Sequence, residues 1–409
     1  MSRIDDLIRQ YAPDGIDYKP LGEVGTFVRG NGLQKKDFVD VGFPCIHYGQ
    51  IYTYYGTSTT STKSFVTDEL SARLRRAKPG DLVIATTSEN IEDVGKAVVW
   101  LGEGEVAFGG HTSVFRHSLE PKYVAYFFQA ESFQAQKKKY VSGTKVKELP
   151  FAGISKIKIP VPPLEVQREI VRVLDAFVEL EAELEAELDA RSQQYDHYRD
   201  SLLEFRGRSD VKWIRMGEVG DFFRGRRFTK SDAVPDGIPS IHYGEIYTHY
   251  GVCAKTSRTH VRTGMAASLR YARPGDVVIA SVGETVADVG KAVAWLGEGD
   301  IAIHDDTFAF RSNMDPTYVV YVMQTAAFHR QKEQYVARSK VKRVGGENLG
   351  KIVIPVPPLG EQRRIVSTLN KFDALMNDLS SGLPAEIEAR RQQYAYYRDR
   401  LLTFKEKTA

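Results

Sequence analysis

The residues of this sequence best suited to binding chemistry are lysines and arginines in short polar loops. These loops occur twice, about 195 positions apart. Lysine and arginine neutralise DNA phosphates, and arginine, lysine, asparagine and glutamine can read base edges. A single cluster is explained equally well as a solvated surface, but recurrence at matching positions favours a DNA interface. The candidate DNA-binding residues are Arg29, Asn31, Lys35, Lys36, Lys138, Lys145 and Lys147, and then Arg224, Arg226, Arg227, Lys230, Arg338, Lys340 and Lys342.

A polar loop that differs between the two halves supplies further candidate contacts. Residues 87–92 read Thr-Ser-Glu-Asn-Ile-Glu, and their counterparts at 282–287 read Val-Gly-Glu-Thr-Val-Ala, whereas the flanking sequences persist. Variable polar side chains on a shared frame suit the reading of bases. We therefore expect Ser88, Asn90 and Thr285 to contact DNA, and the alternative is drift in a loop without function.

Motifs for catalysis are missing where they would be expected. The Gly95-Lys96 and Gly290-Lys291 pairs lack the earlier glycine of a phosphate-binding loop, because Asn90 and Thr285 stand in its place. The Pro162-Pro163 pair is flanked by valine and leucine, unlike the corresponding loop of an amino-methyltransferase. No spacing of cysteine and histidine fits zinc. The sequence therefore predicts neither a catalytic residue nor a metal site.

A proline-led segment precedes each of two long helical patterns. Residues 159–164 read Ile-Pro-Val-Pro-Pro-Leu and recur at 354–359. Proline in a first helical turn marks a sharp N-terminus. The apolar residues that follow alternate steps of four and three, as in a heptad seam, which needs a partner helix. The pattern predicts long helices over 159–206 and 354–409, the second interrupted near 380–384, where Ser-Ser-Gly-Leu-Pro is typical of a stop and a restart.

The segments that precede the helices indicate two similar globules. Short apolar runs at 81–85 and 276–280 follow Pro-Gly turns and predict buried strands, whereas 121–139 and 316–332 look helical. The sequence thus predicts an α+β fold in which globules at 1–158 and 207–353 alternate with the long helices.

Overall composition excludes several classes of protein. The sequence has no run of about 18 apolar residues, and its N-terminus lacks an apolar signal core, so we expect a cytoplasmic protein. Cys45 and Cys253 are not kept by the repeat, which favours reduced thiols over a disulfide. A net charge of +3 is too small to indicate a nucleic-acid partner by itself.

Motifs around both helices carry a family resemblance. Pro-Val-Pro-Pro-Leu-x-x-Gln-x-x-Ile-Val occurs at both helix starts, and Gln-Gln-Tyr-x-x-Tyr-Arg-Asp occurs at 193–200 and 392–399. This combination resembles the specificity subunit of type I restriction-modification systems. The resemblance implies that each globule is a target-recognition domain reading one half of a split DNA site. It also implies that the two helices pack as an antiparallel coiled coil that sets the spacer.

The same resemblance implies partners and leaves the chemistry to them. Two methylation subunits would bind this non-catalytic chain and bring S-adenosylmethionine, and restriction subunits would bring ATP and Mg²⁺. This chain itself would hold no cofactor. The residues expected to contact these partners are Gln167, Tyr195, Tyr198, Gln362, Tyr394 and Tyr397.

Two other interpretations of the sequence remain open. The chain could be a two-headed protein-binding scaffold without DNA sequence specificity, or a catalytic restriction or methylation polypeptide whose motifs are not recognisable. The paired basic loops weigh against the first, and the missing motifs weigh against the second. The closeness of the two halves further predicts a DNA site with partly palindromic half-sites.

Overall fold

The chain forms two compact units. The computed structural model describes residues 3–205, 207–337, 340–377 and 382–407, without the side chains of 375–377. The first unit comprises residues 1–185 and 386–409, and the second comprises residues 186–385. Each unit therefore contains one globule and a part of both long helical segments.

The first unit begins with a globule of short strands and helices. Its strands are β1 (Tyr18–Pro20), β2 (Gly25–Arg29), β3 (Phe43–Ile46), β4 (Ser58–Thr59), β5 (Ser64–Val66), β6 (Arg75–Ala77), β7 (Leu82–Ala85), β8 (Thr87–Ser88), β9 (Ala97–Trp100), β10 (Val106–Phe108), β11 (Thr112–His117), β12 (Lys147–Glu148) and β13 (Lys158–Pro160). Its helices are α1 (Arg3–Tyr11), α2 (Leu21–Val24), α3 (Tyr48–Thr53), α4 (Asp68–Ser71), α5 (Pro121–Gln129), α6 (Glu131–Lys137) and α7 (Phe151–Ile154), with a 3-10 turn at Lys35–Asp37.

Two mixed sheets form the body of this globule. One has the strand order β2-β11-β7-β9-β4, and the other has the order β5-β3-β10-β6. Strand β7 is buried at every position, as its unbroken apolar run requires. It follows the turn at Gly80, whose φ of +91° favours glycine. The predicted buried strand at 81–85 is confirmed.

The helical stretch predicted at 121–139 is two helices. Ala130 is extended, with φ −68° and ψ 149°, so α5 ends before it and α6 begins after it. Residues five apart point to different faces of one continuous helix. The break lets Phe128 and Phe133 stack with their ring centroids 4.2 Å apart, and both are buried in the core.

The second globule repeats this arrangement. Its strands are β14 (Lys212–Arg215), β15 (Gly220–Arg224), β16 (Ala233–Val234), β17 (Ile238–Ile241), β18 (Cys253–Ala254), β19 (Thr259–Val261), β20 (Tyr271–Ala272), β21 (Val277–Ala280), β22 (Val282–Gly283), β23 (Ala292–Trp295), β24 (Ile301–Ile303), β25 (Thr307–Ser312), β26 (Lys342–Arg343) and β27 (Val353–Val356). The larger sheets have the orders β15-β25-β21-β23-β18 and β16-β19-β17-β24-β20.

The long helical segments and the shorter helices complete the chain. They are α8 (Leu164–Leu203), α9 (Met216–Val219), α10 (Tyr243–Thr248), α11 (Pro316–Met323), α12 (Ala326–Glu333), α13 (Gly346–Gly350), α14 (Leu359–Asn377) and α15 (Gly382–Leu401), with 3-10 turns at Lys230–Asp232 and Thr263–Ser268. Of the predicted interruption at 380–384, Ser380 and Ser381 lie outside the described residues, and Gly382 has φ +79°. No helix within the described ranges is both long and apolar enough to cross a membrane.

Within the first unit, α8 and α15 run antiparallel. Phe177 stacks on Tyr397 with ring centroids 5.5 Å apart. One helical turn further along α8, the Glu181 carboxylate accepts from Arg391 at 2.6 Å, and Glu185 pairs with the same guanidinium at 2.5 Å. Residue numbers that increase along α8 therefore pair with residue numbers that decrease along α15. The charges of Glu181 and Glu185 on α8 are partly neutralised by this arginine of α15.

Within the second unit, α8 packs against α14. Tyr198 contacts Phe372 with ring centroids 4.9 Å apart. Ile365 and Leu369 of α14 are buried in the same core as Leu203 of α8. The predicted antiparallel pairing of long helices is confirmed by these contacts and by the similarity to solved structures reported below.

The first unit also joins distant parts of the chain beside β1. The backbone N–H of Ile16 donates to the Lys405 carbonyl at 2.9 Å, and Lys407 N–H donates to the Ile16 carbonyl at 3.1 Å. The Tyr18 hydroxyl donates to the Phe404 carbonyl at 3.1 Å. Residues after α15 therefore complete the edge of the globule formed by the earliest part of the chain.

Candidate nucleic-acid interface

The first basic loop of the first globule follows β2. Arg29, at the end of that strand, is exposed, and so are Lys35 and Lys36 in the following 3-10 turn. The Gln34 N–H donates to the Asp37 carboxylate at 2.8 Å and anchors this turn. Three of the predicted cations are therefore held on a defined piece of backbone with their side chains in solvent.

The predicted contact Asn31 lies in the same loop and has a structural role. Its side-chain Nδ2 donates to the Arg73 carbonyl at 2.8 Å, and its Oδ1 accepts from the Arg75 N–H at 2.9 Å. These bonds fasten the loop to the strand β6 region. A direct contact of Asn31 with DNA stays a prediction.

A small two-stranded sheet, β8–β12, brings two predicted segments together. Strand β8 pairs antiparallel with β12, so Ser88 lies opposite Lys147. The Lys147 Nζ donates to the Gly143 carbonyl at 2.9 Å, whereas Lys145 is exposed. Polar and cationic side chains from places far apart in the sequence thus share one surface.

The adjoining polar loops are stabilised internally in both globules. The Asn90 amide donates to the Asp93 carboxylate at 2.7 Å and its oxygen accepts from the Asp93 N–H, also at 2.7 Å. The Thr285 hydroxyl donates to the Asp288 carboxylate at 2.6 Å. Asn90 and Thr285 are exposed, but each also caps its own turn. The charge of Asp93 is balanced by Lys96 at 2.6 Å.

The turn at 109–111, between β10 and β11, lies between the first basic loop and strand β8 of the first globule. The Gly30 N–H donates to the Thr112 carbonyl at 3.0 Å, and the Thr86 N–H donates to the His111 carbonyl at 2.9 Å. A side chain on Gly30 would meet the Gly109 carbonyl oxygen at 1.9 Å, so this close approach requires glycine. The first basic loop and the β8–β12 sheet therefore lie on either side of one turn.

The second globule presents its predicted cations in the same way. Arg224 ends β15, and Arg224, Arg226, Arg227 and Lys230 are all exposed. The Arg226 N–H donates to the Ile303 carbonyl at 3.0 Å. This bond holds the basic loop against β24, beside the turn at 304–306 that corresponds to residues 109–111.

A second two-stranded sheet, β22–β26, matches the β8–β12 sheet. Strand β22 pairs with β26, so Gly283 lies opposite Lys342 and Val282 lies opposite Arg343. Lys340 is exposed in the adjoining loop. The predicted contact Arg338 lies outside the described residues. In the first globule the cation Lys138 is also exposed, just after α6.

Acidic residues of the turn at 304–306, which were not predicted from the sequence, contact two arginines of the second globule. Asp306 accepts from the Arg343 guanidinium at 3.1 Å and lies 3.9 Å from that of Arg224. The Arg224 Nε also donates to the Asp305 carbonyl at 2.5 Å. The first globule has Gly-Gly-His at 109–111 where the second has His-Asp-Asp, so a search for repeated motifs could not find this carboxylate.

The same turn has the composition of a cation site, but its side chains already have hydrogen-bond or ion-pair partners in the protein. Ligand atoms of His304, Asp305 and Asp306 lie within 4.8 Å of one another. The His304 Nδ1, however, accepts the Asp306 N–H at 3.0 Å. Burial lowers the pKa of His304. The Asp306 carboxylate therefore anchors Arg343 and faces Arg224, whereas Asp305 holds Arg224 through its backbone carbonyl.

Two glutamines that we predicted to contact partners are buried, and the prediction is corrected. Gln167 is 3% exposed, accepts the Glu120 N–H at 2.9 Å and donates to the Pro162 carbonyl at 2.7 Å. Gln362 is also 3% exposed and makes the matching bonds, to Asp315 at 2.9 Å and to the Pro357 carbonyl at 2.8 Å. Both side chains fasten the start of a long helix to its own globule.

In each tyrosine motif near a helix end, the first tyrosine packs inward and a later tyrosine remains exposed. The Tyr394 hydroxyl donates to Gln129 at 2.8 Å, and Tyr195 packs against the core of the second unit. Tyr198 and Tyr397 remain 38% and 39% exposed. The aspartates that end the motifs accept the first N–H groups of α12 and α6: Asp200 from Ala326 and Asp399 from Glu131, both at 2.9 Å.

Known proteins are similar to this chain in sequence. The type I restriction modification DNA specificity domain matches the chain twice, at residues 13–190 and 208–389. A putative type I restriction enzyme specificity subunit of Haemophilus influenzae is 28% identical over 404 residues, which are 95% of this chain and 96% of that protein. The EcoR124I/EcoR124II specificity subunit of Escherichia coli is 29% identical over 274 residues, 62% of this chain and 65% of that protein.

A solved structure extends this similarity to three dimensions. A chain from a study of complex assembly and conformational transition in the type I R-M system gives a TM-score of 0.65 at 20% identity, covering 96% of this chain and 98% of that one. It supports a shared fold. The resemblance, the two-globule architecture and the non-catalytic character expected from the repeated motifs are confirmed by these matches. The chain belongs to the family of type I restriction-modification DNA specificity proteins.

Proposed function

We propose that each globule reads one half of a bipartite DNA site through the loops that flank its central turn. The observation that carries the proposal is the repeated convergence of a basic loop and a polar two-stranded sheet on one turn, at 109–111 and at 304–306. Exposed cations supply contacts with phosphates, and the two-stranded sheet and the turn supply groups that can reach base edges.

The long helices would set the distance between the two half-sites and bind two methylation subunits. Tyr198 and Tyr397 are the members of the predicted partner set that offer large exposed aromatic area on the paired helices. In this proposal S-adenosylmethionine is held by the methylation subunits, and ATP with Mg²⁺ by restriction subunits. The complex would act in the cytoplasm, as the sequence led us to expect.

The two half-sites should be related but not identical. The backbone frame is common to both globules, which supports partly palindromic half-sites. Around the central turn, however, His111 and Glu148 of the first globule stand where Asp306 and Arg343 stand in the second. Since arginine replaces a glutamate and aspartate replaces a histidine, the charges around the turns differ, and the base pairs nearest the turns should differ between the half-sites.

Selection from a random duplex library tests the proposal. The full chain, alone and with methylation subunits, would be mixed with duplexes carrying a randomised core, and bound DNA would be sequenced. The expected result is two specific blocks at a fixed separation, and the logarithm of the binding constant should fall linearly as the logarithm of the salt concentration rises. If no sequence is enriched, or if binding does not depend on salt concentration, the proposal is contradicted and the protein-binding scaffold is favoured.

A further inference from the structure

One lysine in each globule is buried directly behind the polar loop. Lys137, the last residue of α6, is 1% exposed, and its Nζ donates to the carbonyls of Val94 at 2.8 Å and Glu92 at 3.3 Å. Lys332 of α12 is 0% exposed and donates to the carbonyls of Val289 and Ala287. The two arrangements are equivalent although the loops in front of them differ in sequence.

Burial makes this an energetically unfavourable place for an amine. Desolvation is the main cause that lowers the pKa of Lys137 and of Lys332 to about 8. An apolar side chain of similar length would fill the same space without that cost. The structure thus retains, twice, a group whose distinctive contribution is to donate hydrogen bonds to loop carbonyls.

The contacted carbonyls belong to turns without regular pairing. Residues 91–95 and 286–290 are turns, and each ends in a glycine with positive φ, +88° at Gly95 and +85° at Gly290. A side chain at either glycine would press on the lysine stem, at 3.1 Å from the Cδ of Lys137 and 3.0 Å from that of Lys332. The buried lysine and the glycine therefore together fix the turn at 91–95 or 286–290, which forms the base of each polar loop.

The loop that each lysine fixes leads directly to the candidate reading side chains. In the first globule, Lys137 binds residues 92 and 94, and the same segment carries Asn90 and strand β8, which sets Ser88 opposite Lys147 of β12. The Leu149 N–H, directly after β12, donates to the Thr86 carbonyl at 2.9 Å. Movement at the base of the loop would therefore shift the β8–β12 sheet.

We propose that Lys137 and Lys332 are positioning residues for base readout: each holds the polar loop of its own globule in register with DNA without touching DNA. This proposal rests on the proposed DNA-reading function. It assigns opposite roles to neighbours in one basic run, because Lys137 would govern discrimination between sequences, whereas exposed Lys138 would govern general affinity.

The test uses Lys137→Met and Lys332→Met in the full chain, with the same random duplex library. The expected result for Lys137→Met is loss of sequence preference in one half-site, with specific over non-specific affinity falling about tenfold to hundredfold. Lys332→Met should affect the other half-site. The salt dependence of non-specific binding should not change, since neither lysine meets a phosphate.

Lys138→Met is the matched control, one residue away and in solvent. It should lower the salt slope by about 1 and weaken binding to all sequences alike, with the selected motif intact. Should Lys137→Met fold poorly, Gly95→Ala gives a second disturbance of the same loop base with the lysine retained. It is expected to cause the same loss at the same half-site.

The outcomes separate this proposal from the one on which it rests. A wild-type chain that selects no motif contradicts DNA reading itself. A wild-type bipartite motif that Lys137→Met and Lys332→Met leave unchanged overturns the positioning role alone. Equal loss in both half-sites from either substitution also overturns it, because each lysine contacts only the loop of its own globule.

Discussion

Replacement of Gln167 by alanine should lower the free energy of unfolding of the first unit by about 2–3 kcal/mol. The side chain is 3% exposed and joins the Glu120 N–H to the Pro162 carbonyl, two groups from separate segments. It therefore ties the start of α8 to the start of α5. Gln362 makes the equivalent tie in the second unit, so the prediction can be repeated there independently.

The magnitude follows from the two hydrogen bonds. Each contributes about 0.5–1.5 kcal/mol net, and a buried polar group left without its partner costs about 1–3 kcal/mol. The Pro162 carbonyl bond is buried and carries most of this cost. The Glu120 N–H bond is part-buried, so water can replace part of it. The sum therefore lies below the maximum for two fully buried groups.

Urea unfolding of the full chain, followed by far-UV circular dichroism and tryptophan fluorescence, measures the effect. Gln193→Ala is the matched control, because Gln193 is on the same helix and exposed, and this change should shift the free energy by less than about 0.5 kcal/mol. Gln167→Ala and Gln362→Ala should each act on their own unit and add when combined.

Unfolding of Gln167→Ala that matches the wild type would refute this reasoning. Loss of methylation-subunit binding at unchanged stability would do so most clearly. That result would restore the original interpretation of Gln167 as a partner contact and show that the buried geometry does not control stability.

Three further predictions concern charge. Asp306→Asn should free the Arg343 guanidinium from its ion pair and remove the negative charge beside Arg224, which keeps its bond to the Asp305 carbonyl. Non-specific DNA affinity should rise severalfold, seen as a steeper salt dependence in gel shifts; an unchanged slope would show that these arginines do not face phosphate. Alanine at any one basic-loop cation should reduce the salt slope by about 1, and no change would remove that residue from the interface. Burial lowers the pKa of Lys137 to about 8 from the ordinary 10.5, so the folded chain binds fewer protons than the unfolded chain between these values. The unfolding free energy of the wild type relative to Lys137→Met should therefore rise by roughly 2–3 kcal/mol from pH 7 to pH 10, and a constant difference would contradict the burial. The basic-loop cations to be tested are Lys35, Lys36, Arg226, Arg227 and Lys230.

Sequence patterns predicted the elements whose signals are local. The apolar run at 82–85 and the proline-led start of α8 each depend on neighbouring residues, and both appear where the pattern indicated. The break at Ala130 was not foreseen; in the folded core it accompanies the stacking of Phe128 on Phe133. The second globule breaks at the matching residue, Thr325, with Met323 in place of Phe128, so the helical pattern alone did not show where the helix divides.

The residue types of the candidate site could be predicted from the sequence, but the contacts between its residues could not. Gln167 binds a residue 47 positions away, and no local pattern reveals such a partner. The charge of the run at 137–139 likewise does not show which lysine turns inward. A signal was nevertheless present: Lys137 follows buried Phe133 by four residues, and Lys332 follows buried Phe328 by four, so each shares the buried face of its helix.

The division of the chain also dictates an order of maturation on the ribosome. The second unit is one uninterrupted stretch, residues 186–385, and all of its parts emerge together. The first globule emerges earlier but lacks Tyr394, Asp399 and the segment that pairs with Ile16 until residues 386–409 are made. During translation its exposed surface should make it the more dependent of the two on chaperones, although it is synthesised first.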